Sequence, residues 1–103
     1  MNLFIPFYKV FICDSKLYRI SIINVSIDKI SSFYKMKIAV YNESIPLLSL
    51  SYENYNDYIL GEEDEIRNIL NYVCMGDIKN ACSDNKKYLD RYHHLYSKYK
   101  DKE

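Results

Sequence analysis

Residues 62–76 read EEDEIRNILNYVCMG, and they mark where the chain changes its hydrophobic period. Ile66, Ile69, Leu70 and Val73 recur at spacings of three, one and three. That pattern gives one apolar stripe on a helix. Glu62, Glu63, Asp64 and Glu65 open it, where carboxylates face the unpaired N–H groups of a first helical turn. Gly76 follows Met75 and suits the left-handed residue that ends a helix. The segment predicts a helix over residues 62–75.

Upstream of this helix the period is two. Tyr34, Met36, Ile38 and Val40 alternate with Lys35, Lys37, Ala39 and Tyr41, as in a half-buried antiparallel strand. Asn42-Glu43-Ser44 reads as a turn. Leu47, Leu48, Leu50 and Tyr52 then form a strand with Pro46 near its start. Further back, Tyr8–Cys13 is aromatic and β-branched, and Asp14-Ser15 makes a hairpin link into a strand from Leu17 to Ile27. That strand carries apolar residues on both faces. Residues 8–52 therefore predict a four-strand antiparallel meander, and residues 53–61 (ENYNDYILG) a polar loop with a short turn at Tyr58–Leu60.

Downstream, Asp77 caps a second helical run through Ile78, Ala81 and Cys82. Ser83-Asp84-Asn85 offers a break in this run, or a cap for a separate last helix, as the alternative to one continuous helix. Leu89, Tyr92, Tyr96 and Tyr99 continue at helical spacing to about residue 100, and residues 100–103 are expected to fray. The expected fold class is α+β: one domain over residues 1–103, an antiparallel sheet of about four strands (8–52) packed by two C-terminal helices (62–75 and 78–100).

The composition is that of a globular domain: 49% hydrophobic and 27% charged residues, with net charge zero. Twelve Tyr, 13 Ile, 11 Lys and 9 Asn stand against no Trp. All four types have AT-rich codons, so gene composition and an aromatic contact surface are both open readings of the Tyr excess. No basic n-region or cleavage site opens the chain, and no 18-residue apolar run exists. The expectation is therefore an intracellular, cytoplasmic protein without a membrane span. A membrane-surface role for Phe4, Ile5 and Phe7 is the weaker alternative to burial. Cys13, Cys74 and Cys82 are odd in number and lack a CxxC, which suits buried thiols in a reducing compartment. A Cys74–Cys82 disulfide across a helical corner is the alternative.

The chemistry-bearing residues do not assemble into an enzymatic motif. His93 and His94 point about 100° apart on a helix and cannot readily share a metal. Cys82 lies about 16 Å from His93 on a continuous helix, so the two cannot form a nucleophile–base pair. The acid run lacks the spacing of a calcium loop. No catalytic residue, metal ligand or cofactor is assigned.

Charge is nonetheless uneven. Residues 1–52 hold six Lys or Arg against three acids, residues 53–70 one against six, and residues 71–103 seven against five. Tyr52, Glu53, Tyr55, Asp57, Tyr58, Glu62, Glu63, Asp64 and Glu65 therefore form a candidate surface for a basic partner protein, with Tyr as anchor and carboxylates as complement. The leading expectation is a non-enzymatic protein-binding or inhibitory protein. The alternative is nucleic-acid binding by Lys79, Lys86, Lys87, Arg91 and Lys98 on helices joined near Met75-Gly76-Asp77, which superficially resemble a helix-turn-helix. Leu89, Tyr92, Tyr96 and Tyr99 form a stripe that packs on the sheet or on a second copy in a homodimer. In its small size, AT-rich codon usage and lack of motifs the chain resembles accessory proteins of viruses, phages or low-GC microbes. That resemblance implies action in an infected host cell.

Overall fold

A computed structural model of the chain describes residues 4–14, 16–26, 32–40, 43–51 and 56–100. The order is β1 (Phe4–Cys13), β2 (Lys16–Ser26), β3 (Ser32–Val40), β4 (Glu43–Ser51), β5 (Asn56–Leu60), α1 (Glu63–Cys74), α2 (Ile78–Arg91) and α3 (His93–Tyr99). Strands come first and helices last, giving the expected α+β class with an antiparallel sheet under C-terminal helices.

The sheet differs from a meander. Its order is β2-β1-β5-β4-β3, all antiparallel. Two hairpins, β1–β2 and β3–β4, stand on either side of β5. The stretch expected to be a loop is thus partly a central strand. Its signal is weak because β5 has only five residues and its alternating positions carry the opposite polarity, with Asp57 buried and Tyr58 exposed.

The β1–β2 turn places Asp14 at φ +54, a left-handed geometry that Asp tolerates. Pairing begins at Cys13–Lys16 and shifts once, leaving Tyr18 as an extra residue on β2.

The two halves of the sheet meet weakly. β1 and β5 share one registered pair, Lys9–Ile59. One step along, Tyr8 and Leu60 would face each other, and the Tyr88 side chain of α2 enters there. Its hydroxyl donates to the Leu60 carbonyl and accepts from the Tyr8 N–H at 3.2 Å. Its fully buried ring meets Phe7 edge-on, with centroids 5.3 Å apart. A side chain therefore supplies the bridge that the backbone ladder lacks here.

The helices close the core from Ile66, Ile69, Leu70, Ala81, Tyr88 and Tyr92. Between β5 and α1 the chain turns at Gly61, whose φ is +142. A Cβ there would lie 3.0 Å from Tyr88 Cε2 and 3.2 Å from Ile66 Cδ1, so the turn needs glycine for both conformation and space. Glu62 is the N-cap of α1 and stands just before the first turn, in which Glu63, Asp64 and Glu65 lie. At the C-terminus, Asp77 N–H bonds to Tyr72 O (2.8 Å) and Gly76 N–H to Val73 O (3.0 Å), with Gly76 at φ +78. This is a Schellman ending, as Gly76 suggested.

Asp77 caps α2 by accepting from Asn80 N–H at 3.2 Å. The helix stays continuous through Ser83–Asn85, as the expected 78–100 run requires and against the reading of a break there, and α2 reaches Arg91. Asn85 is buried instead, and its amide donates to Pro6 O at 2.9 Å, which ties mid-helix to β1. The helical path breaks at Tyr92 (φ −102, ψ 7), so the last run is two helices. Among the described residues no helix is long and apolar enough to cross a membrane. Ile5 and Phe7 are core residues, which explains the apolar run near the start of the chain. The thiol expectation is overturned: Cys13, Cys74 and Cys82 are free, and all three are exposed.

Replacing Tyr88 by Phe keeps the ring but leaves the Tyr8 N–H and Leu60 carbonyl without their bridge. The variant is expected to lose about 1–3 kcal/mol in denaturant unfolding. Gly61→Ala, which strains the turn and crowds Tyr88, should also lower the unfolding midpoint.

Candidate functional site

The sequence-derived residues fall into three groups on this frame. Of the acidic and tyrosine set, Tyr52, Glu53 and Tyr55 lie outside the described residues. The others follow β5 through the Gly61 turn into α1. Asp57 is buried, and its Oδ1 lies 3.0 Å from Lys9 Nζ on the neighbouring strand. Glu63 pairs with Arg67 one helical turn on. Glu65 crosses to α2, where its Oε2 lies 2.7 Å from Arg91. Three carboxylates are thereby drawn into intramolecular pairs. Glu62 and Asp64 remain exposed with no ion pair among the described residues, and Tyr58 is also exposed.

The elements explain each pairing. Lys9 belongs to the single β1–β5 register pair and Asp57 lies two residues from its partner Ile59, so opposite charges meet where the two halves of the sheet touch. Glu63 and Arg67 are an i,i+4 pair in the favourable order. Glu65 and Arg91 close the open end of the α1–α2 hairpin.

Arg91 therefore differs from the other cations of the nucleic-acid set in being held by a carboxylate. Lys79, Lys86, Lys87 and Lys98 are exposed, and none has an ion pair among the described residues. Lys98 Nζ lies 5.4 Å from the Tyr99 ring centroid. The third group, Leu89, Tyr92, Tyr96 and Tyr99, lies against the chain's own core. Tyr92 is buried, Tyr96 stacks on Tyr8 with centroids 5.1 Å apart, and the Tyr8 hydroxyl donates to the Leu89 carbonyl at 2.8 Å. The stripe is thus occupied largely by intramolecular packing.

One feature was not legible beforehand. A cleft of about 240 Å³ between α1 and α2 is lined by Glu65, Asn68, Asp84, Lys87 and Arg91. Its signal is helical: Glu65 and Asn68 are i,i+3, and Asp84, Lys87 and Arg91 are i, i+3, i+7. Seeing it requires knowing that those two rows face each other. Glu65 Oε1 is buried in this region without a hydrogen-bond partner. Arg91 and Lys87 supply donors to the cleft, and Glu65 and Asp84 supply acceptors. His93 lies outside it, with Nε2 3.2 Å from Ser97 Oγ.

The perturbed ionisations belong to tyrosines of the core. Burial raises Tyr88 well above its ordinary value, and burial followed by the neighbouring Tyr96 and Asp90 raises Tyr8. Tyr92 is raised from 10.0 to about 12, first by burial and then by the Glu65 carboxylate beside it. These shifts keep the phenols neutral as structural groups.

Comparison with protein-family models, curated proteins and solved structures finds no match for the chain.

The sign of the Tyr92 shift gives an alkaline prediction. The folded form holds its proton to about pH 12, whereas the unfolded phenol loses it near 10.0. The stabilisation is complete below pH 10 and is lost as pH rises from there to about 12. Urea unfolding across this window should show falling stability, and Tyr92→Phe should flatten the fall.

Proposed function

We propose that the chain is a non-enzymatic protein-binding module, and that it inhibits a partner by covering a basic surface. The contact surface is Tyr58, Glu62 and Asp64. The observation that carries this reading is the division among the acids. Asp57, Glu63 and Glu65 are tied to Lys9, Arg67 and Arg91, whereas Glu62 and Asp64 are exposed with no ion pair among the described residues, four to six residues along the chain from an exposed tyrosine. The paired acids hold the surface in shape, and the unpaired ones supply charge complementarity for encounter with a basic partner. Tyr58 offers a flat amphipathic anchor at low entropy cost.

Three exposed free thiols support a reducing, intracellular setting. Such a module suits an accessory protein acting in a host cell.

A second reading rests on a different observation. Lys79, Lys86 and Lys87 stand exposed on α2 without a carboxylate partner among the described residues, as phosphate-contacting cations would. On this reading Arg91 contributes less than expected, because Glu65 neutralises it.

Capture from a native host lysate, with and without nuclease and at low and moderate salt, separates the two. A protein partner should survive nuclease and be lost when Glu62→Lys and Asp64→Lys are combined. It should persist when Lys79, Lys86 and Lys87 are changed to Gln. The opposite pattern, with binding abolished by nuclease and by the Gln changes, would replace protein binding with nucleic-acid binding.

A further inference from the structure

The outer edge of β2 is the longest unpaired strand edge whose side chains are described. β2 is the first strand in the sheet order, and no described strand pairs with its outer side. Its 11 residues, KLYRISIINVS, span roughly 35 Å at about 3.3 Å per residue. Sheets guard such edges with bulges, charges or prolines. Here the charge and bulge guards sit at one end, and α3 packs against β2 beside the Tyr8–Ile22 pair. Lys16, Arg19 and the extra residue Tyr18 all lie in the first four positions. Residues 20–25, ISIINV, carry no charge, no Gly and no Pro, and they pair regularly with β1. In their midst Ile22 is 48% exposed, more than any other described aliphatic residue of the sheet.

This distribution fits a second copy of the same strand. In a twofold antiparallel pair, each residue keeps its side of the sheet, so opposed residues must have the same parity. The register centred on Ile22 sets Ile22 against its own copy, Ser21 against Ile23, Ile20 against Asn24 and Arg19 against Val25. No like charges face each other, and each basic end lies against the other copy's uncharged end. The exposed Ile22 becomes covered, and the outward backbone groups of both strands find partners. A parallel alignment in the same register would set Arg19 against Arg19 and Lys16 against Lys16 and is disfavoured.

We propose that two copies of the chain join edge to edge along β2, antiparallel about a twofold axis at Ile22, into one continuous ten-stranded sheet. The contact runs along the strand that borders the Leu89–Tyr99 stripe, since Ile22 pairs with Tyr8 and Tyr8 stacks on Tyr96, but it uses the backbone edge of β2 and not that stripe.

Sedimentation equilibrium of the intact chain over a concentration series tests this. The wild type should approach twice its 12.4 kDa mass. Ile22→Lys sets two ammonium groups against each other on the axis and should weaken the dimer by roughly tenfold or more. Ile22→Val should leave it nearly unchanged. Amide exchange gives a readout independent of any variant: outward amides of residues 20–25 should gain protection as concentration rises. A chain that stays monomeric up to about 0.5 mM, well above the dissociation constant of a specific dimer, overturns the proposal. So does a dimer that Ile22→Lys leaves intact, or one whose β2 amides show no concentration-dependent protection.

Discussion

The Tyr88 hydroxyl holds together two half-sheets that the backbone joins at a single registered pair. It donates to Leu60 on β5 and accepts from Tyr8 on β1, from a helix far along the chain. Its position constrains the rest. Gly61 has to be a glycine because a Cβ would crowd the Tyr88 ring. Phe7, Tyr8 and Tyr92 rings pack around it with centroids between 5.3 and 5.7 Å, each contact adding about 0.5–1.5 kcal/mol beyond area burial. Asn85, one turn back, fastens the same helix to Pro6. The part of the Tyr excess found in this cluster therefore has a structural role, whatever the codon usage behind it.

The same architecture places the candidate surfaces. Because β5 is central and leads through Gly61 directly into α1, the acids of residues 57–65 are distributed over a strand, a turn and a helix start. Those that meet a cation across the sheet seam or the α1–α2 hairpin are paired, and the rest face water. The helices contribute exposed lysines on α2, with Asp90 among them, and the edge of β2 lies at one limit of the sheet. The three surfaces are distinct in chemistry: carboxylate and phenol, ammonium, and uncharged backbone edge.

Much of the fold was legible in local pattern. The strand at Ser32–Val40, the apolar stripe of Ile66–Val73, the Asp77 cap, the Gly76 ending and the Asp14 hairpin all rest on neighbouring residues, and each formed as read. The misreadings share a cause in distant contacts. β5 looked like a loop because its polar half is stabilised by Lys9 and its neighbours on either side. Ser83-Asp84-Asn85 looked like a break because nothing local reveals that Asn85 has a buried carbonyl to bond. The cysteines were read as buried from residue type, yet all three fall on outward positions. The acidic patch was legible as a charge count, but its division into paired and unpaired members was not.

The sequence by itself determined the elements from β1 to β4, the helical half and the uneven charge, because periodicity, capping and turn chemistry act within a few residues. Only the tertiary structure decided the strand order, the insertion of β5 between the hairpins, the paired state of Asp57 and Glu65, and the identity of Tyr88 as the bridge. Those features depend on residues far apart in the chain meeting with matched hydrogen-bond and charge partners, and no local spacing records which distant groups will meet.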